Sequence, residues 1–230
     1  MTHNSSLGPE AVVLLSGGLD SATCLLIAQS EGFGVLALSF DYGQRHAIEL
    51  ERARGLAEHY GARCHRVVKL DFPAPAASTL TDRSRSVPRH ALGADAIPST
   101  YVPARNTLFL AHALAWAEGE GCRDIFVGAN ALDYSGYPDC RPEFLEAFER
   151  VANLGTRAGV QGDRFRVRAP LIAMTKAEIV RRAGELGLDF SRTISCYDPG
   201  AVGEPCGACD SCLLREKGFR EAGVVDPTRG

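Results

Sequence analysis

Five apolar residues in a row, Ala11 to Leu15, run into Ser16-Gly17-Gly18-Leu19-Asp20-Ser21, and a second apolar run, Ala22 to Ala28, follows. A short unbroken apolar run ending at a glycine turn reads as a strand buried on both faces, and the second run reads as the helix that the turn feeds. The pattern then repeats. Val35 to Phe40 is a second buried strand, Ile48, Leu50, Ala53, Leu56, Ala57 and Tyr60 recur at helical spacing, and Cys64 to Leu70 is a third strand. The order βαβαβ implies an α/β fold: a Rossmann-like parallel sheet flanked by helices.

Beyond Leu70 the rhythm breaks. Leu70 to Thr100 carries Pro73, Pro75, Pro88 and Pro98 among Ser, Ala and Arg with no steady period, and is expected to form an active-site lid or partly mobile flap. Asn106 is expected to cap a helix over Thr107–Gly119, ahead of a strand over Asp124–Val127 that opens into Gly128-Ala129-Asn130. Pro142 suits the first turn of a helix containing Phe144, Leu145, Phe148 and Val151, and Phe165 to Ala169 reads as a fifth, more exposed strand. Thr175-Lys176-Ala177-Glu178 has the form of a capping box and opens a helix with Ile179, Val180, Ala183 and Leu186 on one face. From Ser191 onward regular periodicity is lost, and Gly223 to Gly230 reads as a loose tail. At 230 residues the chain suits one large domain, residues 10–190, with a small cysteine-bearing appendage, residues 191–222.

A balance of 25 Lys+Arg against 28 Asp+Glu lacks the basic excess of a broad nucleic-acid-binding surface, so no nucleic-acid partner is expected. The apolar runs fall far short of the ~20 residues a transmembrane helix needs, which argues against a membrane partner. Met1 to Glu10 has no basic segment followed by an apolar one, so the expected location is cytoplasmic.

The loop after the first strand is where chemistry concentrates. Backbone N–H groups of a glycine turn and the start of a helix together make an anion cradle, with phosphate its natural guest. Ser16 and Ser21 add hydroxyls. Asp20 is the odd member, because a carboxylate beside phosphate repels it unless it holds a cation or organises the loop; Mg²⁺ binding or loop organisation is therefore its expected role. Neither the Walker A pattern nor Gly-x-Gly-x-x-Gly is present. The sequence instead resembles the Ser-Gly-Gly-x-Asp-Ser pyrophosphate loop of the ATP-pyrophosphatase (PP-loop) family. That resemblance extends the nucleotide-binding stretch over Leu15, Ser16, Gly17, Gly18, Leu19, Asp20, Ser21, Ala22, Thr23, Cys24 and Leu25, and makes ATP the expected nucleotide. Asp41, just past the second strand, sits where α/β sheets bind the nucleoside half of a ligand.

Cys196, Cys206, Cys209 and Cys212 follow the spacing C-x9-C-x2-C-x2-C. Such a run can wrap four sulfurs around one ion, and four thiolates leave zinc no open position, so a structural Zn²⁺ site is expected. An iron–sulfur cluster is the rival for a four-cysteine set. The scattered Cys24, Cys64, Cys122 and Cys140 read as small buried residues, and His46, His90 and His112 as structural.

Three further segments complete a larger pattern: Tyr101-Val102-Pro103-Ala104-Arg105-Asn106-Thr107; Gly128-Ala129-Asn130 running into Asp133 to Phe144; and Ser195-Cys196-Tyr197 with Pro205-Cys206-Gly207 and Cys209-Asp210-Ser211-Cys212. With the glycine loop they resemble the QueC family of 7-cyano-7-deazaguanine synthases over Val12 to Phe219. The resemblance implies an ATP-dependent ligase that converts 7-carboxy-7-deazaguanine and ammonia to the nitrile preQ0 for queuosine biosynthesis, through an adenylated acid and an adenylated amide. It also implies a homodimer. Asp20, Ser16 and Arg105 are then the expected catalytic residues, with Arg105 pairing phosphate or the substrate carboxylate unless it is a surface salt-bridge residue. Asp133 and Asp139 would accept from a guanine-like ring, Tyr134 or Tyr137 would stack on it, and Asn130 and Arg141 complete the expected substrate set. Lys176 reads equally as a phosphate ligand or a solvated lysine. Rival readings are a tRNA-modifying sulfurtransferase, a nucleotide-binding module without turnover, and a deazaguanine–protein ligase of a defence system.

Overall fold

The computed structural model describes residues 8–45, 48–72, 77–90, 97–132, 136–200 and 202–229. Its centre is a five-stranded sheet of β1 (Glu10–Leu14), β2 (Gly34–Asp41), β3 (Cys64–Lys69), β4 (Asp124–Phe126) and β5 (Arg166–Arg168), in the order β3-β2-β1-β4-β5. All four pairings are parallel, with Val12 opposite Leu36 on one side and Ile125 on the other. The chain moves outward from β1 to β3, then crosses back to lay β4 against the other edge of β1. That reversal opens a crevice at the C-terminal ends of β1 and β4, the usual ligand position in such sheets.

Among the described residues seven α-helices accompany it: α1 (Leu19–Ser30), α2 (Ile48–His59), α3 (Arg105–Glu120), α4 (Pro142–Gly155), the single turn α5 (Arg157–Val160), α6 (Lys176–Glu185) and α7 (Asp210–Ala222). Side chains alternating along β1 divide the interior in two. Val12 and Leu14 face a core with Leu110, Phe148 and Phe165, while Ala11, Val13 and Leu15 face one with Leu25, Ile179 and Phe219. Each fully buried Leu, Ile or Phe contributes roughly 1.5–3 kcal/mol relative to an exposed position, which is why the apolar runs dictate the sheet.

The capping box is present, with Thr175 accepting from the Glu178 N–H while the Glu178 carboxylate accepts from the Thr175 N–H. Three expectations need correction. α3 begins at Arg105 with Ala104 at the cap position in the left-handed region (φ 55°), and Asn106 does not cap it. The Asn106 side chain instead donates to the Asp139 carbonyl at 3.0 Å, and Asp139 Oδ2 accepts from the Asn106 N–H at 3.0 Å, so a residue 33 positions away satisfies the helix start.

The stretch after Ser191 also contains a full helix. The buried face of α7 is Cys212, Leu214, Arg215, Gly218 and Phe219, a mixture that hides the apolar period. Nor is the tail loose: Asp226 is buried and held by Arg215 Nε at 2.6 Å and Nη2 at 3.0 Å.

Candidate active site

The loop from Ser16 to Ser21 lies in the crevice and is braced from within. Ser21 Oγ accepts from the Ser16 N–H at 3.1 Å, lies 3.0 Å from Ser16 Oγ and donates to the Gly18 carbonyl at 3.0 Å. The turn depends on Gly17: its φ is +86°, and a Cβ there would stand 2.4 Å from the Glu49 carbonyl oxygen of α2. The C-terminal segment holds the same turn from outside, as the Ile194 N–H donates to the Gly17 carbonyl at 3.0 Å. Gly128 at the end of β4 packs so closely that its Cβ would lie 3.1 Å from Ser21 N. The loop is therefore a fixed platform rather than an open turn.

Above it lies a cavity of about 290 Å³, lined on the loop side by Leu15, Ser16, Gly18, Leu19, Asp20 and Ser21. Gly17 does not line it, and Ala22, Thr23, Cys24 and Leu25 point into the protein as the buried body of α1. Asp20 meets Lys176 of α6, whose Nζ lies 2.9 and 2.8 Å from its two oxygens. Lys176 is thus not a solvated lysine; its side chain is only 11% exposed, and it lines the cavity. The N-termini of α1 and α6 converge there, so the crevice floor carries two positive helix ends, which favours a bound anion.

Arg105 forms the opposite wall. It is half-buried, with its guanidinium turned inward, rather than a surface residue. Desolvation alone would lower its pKa, but Tyr42, Tyr137, Cys140 and Asp139 outweigh that, so the guanidinium stays charged. Its Nε is buried with no hydrogen-bond partner among the described residues, an unmet donor that a carboxylate or phosphate oxygen would satisfy. Tyr137 also lines the cavity, its hydroxyl 2.7 Å from Thr100 Oγ1. Asn130 is buried at the cavity edge and donates to the Leu171 carbonyl at 3.1 Å.

The remaining expected ligands lie elsewhere. Asp139 is buried at the start of α3, Arg141 is exposed just before α4, Asp41 ends β2, and none of the three lines the cavity. Asp133 and Tyr134 lie outside the described residues. Described parts of the stretch expected as a lid are tied down: the Arg45 N–H donates to the Leu80 carbonyl at 3.2 Å, and Leu80 lines the cavity.

One cavity residue was hidden in the sequence. Glu49, in the first turn of α2, falls between Ile48 and Leu50 and reads only as an acidic residue at a helix start. In the structure burial raises its carboxyl to about 7 against the lowering pull of Arg105. No local pattern marks it; only the contact of its backbone with Gly17 brings it to the loop.

The four C-terminal cysteines converge, with Sγ atoms all within 4.8 Å of one another. Tetrahedral zinc with bonds of about 2.3 Å sets its sulfurs ~3.8 Å apart, so the set fits. Backbone N–H groups point at the sulfurs, from Cys206 and Asp198 to Cys196 at 3.2 and 3.3 Å and from Cys209 to Cys206 at 3.4 Å, as suits thiolates. The Cys196 and Cys212 thiols hold Cys209 well below the ordinary thiol range. Cys24, Cys122 and Cys140 are buried, and Cys64 half-buried.

Residues 10–223 match the model of the family described as queuosine biosynthesis protein QueC. The chain belongs to the QueC family. A 7-cyano-7-deazaguanine synthase of Methylococcus capsulatus is 58% identical over 219 residues, spanning 95% of this chain and 97% of its own. One of Geotalea daltonii is 60% identical, with 95% of each chain covered. Among solved structures, NMN synthetase from Francisella tularensis shares the fold at 16% identity, with a TM-score of 0.51 over 96% of this chain and 80% of that one. The matched residues span the glycine loop, the Arg105 segment and the cysteine cluster.

Proposed function

We propose that this protein is a 7-cyano-7-deazaguanine synthase, a C–N-forming ligase that converts 7-carboxy-7-deazaguanine, ammonia and ATP to the nitrile preQ0. The observation that carries the reading is that the QueC match spans the phosphate loop and the Arg105 wall of one cavity. A carboxylate oxygen is a poor leaving group, so the acid must first be activated. Ser16, Gly18 and Ser21 would grip the triphosphate through hydroxyls and N–H groups, exposing the α-phosphorus. Arg105 Nε would meet the acid's carboxylate and steer one oxygen toward that phosphorus. Displacement of pyrophosphate gives the adenylated acid, ammonia displaces AMP, and the amide oxygen undergoes the same activation before a second AMP departs. Holding both reactants in one cavity accounts for roughly 7–11 kcal/mol of barrier lowering in well-oriented systems.

Tyr137 would stack on the deazaguanine ring, with Asp133, Tyr134 and Asn130 as the remaining candidates for its recognition. Asp20, held by Lys176, organises the loop, and Mg²⁺ would accompany the triphosphate. The cysteine cluster would hold structural Zn²⁺, with no open position for chemistry. A cytoplasmic homodimer is the expected working form; among the described residues no helix is long and apolar enough to cross a membrane.

The test is a product assay with purified protein, 7-carboxy-7-deazaguanine, ATP and ammonium, without RNA. The nitrile with AMP and pyrophosphate is expected. AMP released only when tRNA is added would support the sulfurtransferase alternative instead, and nucleotide binding without AMP would leave a passive module.

A further inference from the structure

We propose that Glu49 is the proton acceptor of the reaction, taking in turn the N–H protons that ammonia sheds on its way to a nitrile. The inference rests on the function proposed above and adds the base that the chemistry requires. Ammonia brings three N–H bonds and the nitrile nitrogen keeps none. In the first half, nitrogen attacks the acyl carbon, the C–N bond forms, the C–O bond to AMP breaks with its electron pair, and Glu49 receives one proton. In the second, the amide oxygen displaces pyrophosphate at phosphorus and the nitrogen loses a second proton. Loss of the third proton to Glu49 lets the C–O bond break, AMP leave and the C≡N bond close. Glu49 passes each proton to solvent between steps.

Elimination within the cavity leads to this residue. Arg45, Arg105, Lys176 and Arg215 line it as cations and offer no site for a proton. Asp20 is neutralised by Lys176 at 2.8 Å. Burial pushes the Tyr42 and Tyr137 phenols up, and raises the Cys140 thiol to about 11, so none is a base near neutrality. Tyr197 is a phenol as well, and no histidine lines the cavity among the described residues. Glu49 remains, a carboxyl without a hydrogen-bond or ion-pair partner among the described residues, sharing the cavity with the Arg105 donor. Its position is fixed, because its own carbonyl packs where a Gly17 side chain would stand. Burial, opposed in part by Arg105, brings its carboxyl to about 7, where a base both accepts and releases protons readily.

The experiment compares wild type with Glu49→Gln and Glu49→Asp by two readouts. Exchange of labelled pyrophosphate into ATP, dependent on the deazaguanine acid, reports activation, which releases no N–H proton. Nitrile formation reports the proton-losing steps. Glu49→Gln is expected to keep the exchange and lose ~10²–10⁴-fold in nitrile formation, the usual span for a missing general base. The wild-type kcat should rise with pH through about 7 and level off, a limb absent in Glu49→Gln and partly restored in Glu49→Asp. Nitrile formation at the wild-type rate by Glu49→Gln would overturn the role, and so would loss of exchange together with nitrile in a folded variant. A Glu49→Gln chain that does not fold leaves the wild-type limb and Glu49→Asp to decide, and a flat wild-type profile between pH 6 and 8 overturns it. Failure of the function itself looks different: wild type then gives neither acid-dependent exchange nor nitrile.

Discussion

Both oxygens of Asp20 face one ammonium, with Lys176 Nζ 2.9 Å from Oδ1 and 2.8 Å from Oδ2 although 156 residues separate the two in the chain. The pair joins the first turns of α1 and α6 beneath the phosphate loop, and both side chains are largely withdrawn from water, at 27% and 11% exposed. Breaking it strands the other charge. Asp20→Asn and Lys176→Met should each destabilise by about 2 kcal/mol, and the double variant should recover part of that, giving a coupling of roughly 0.5–3 kcal/mol by denaturant unfolding. Asp20→Ala should also lose most turnover, because the loop then lacks its anchor; full turnover in that variant would remove Asp20 from the mechanism.

Gly17 offers a sharper probe of the loop. Alanine there meets a φ of +86° and a backbone oxygen 2.4 Å from its Cβ, so α2 must shift and carry Glu49 with it. Gly43→Ala is the matched control, since its φ is +82° but nothing lies within 4 Å of the added carbon. The control should show only the conformational cost of roughly 1–2 kcal/mol. Gly17→Ala should cost more and abolish nitrile formation, a contrast read by thermal unfolding and product assay on the same samples.

How far these features were legible follows from the range of the forces involved. β1, β2 and β4 could be read because strands buried on both faces must be apolar throughout, and the Thr175–Glu178 box because both partners lie within one turn. α7 could not be read, since Cys212, Arg215 and Gly218 occupy its buried face for reasons outside the helix. The partner of Asp20 and the setting of Glu49 depend on segments that meet only when the sheet forms. Asp139 illustrates the same limit: its place in a motif suggested ligand recognition, whereas its carboxylate supports the start of α3.

Metal removal should reach the active site as well as stability. Ser195 and Tyr197 flank Cys196 and line the cavity, and Ile194 holds the Gly17 carbonyl, so the cysteine cluster forms part of the loop's supporting wall. Elemental analysis should find zinc in a stoichiometric amount. Cys206→Ser should bind little of it and lose roughly 3 kcal/mol or more, about 6–12 °C in Tm, with activity falling alongside. Iron with visible absorption in place of zinc would reverse the choice of metal.

Arg215 and Asp226 make the strongest case for acid sensitivity. Both side chains are 5% exposed, and the guanidinium also donates to Thr193 Oγ1 at 2.8 Å and to the Phe190 carbonyl at 3.2 Å, so one residue of α7 ties together three segments. Burial by itself would raise the Asp226 pKa, but the Arg215 hydrogen bonds and charge, with Thr228, outweigh it and hold the carboxyl below the ordinary aspartate range. A group lowered on folding adds stability that is present above its unfolded value, about 3.9, and lost as pH falls through the folded value. Asp226→Asn leaves a buried arginine charge without its counterion and should cost about 3–5 kcal/mol at neutral pH, or roughly 6–20 °C in Tm. Below pH 4 the gap between variant and wild type should narrow, because the wild type is then losing the same charge. Deletion of residues 223–230 should match Asp226→Asn in thermal unfolding at pH 7; an unchanged Tm would mean that the contact adds no stability.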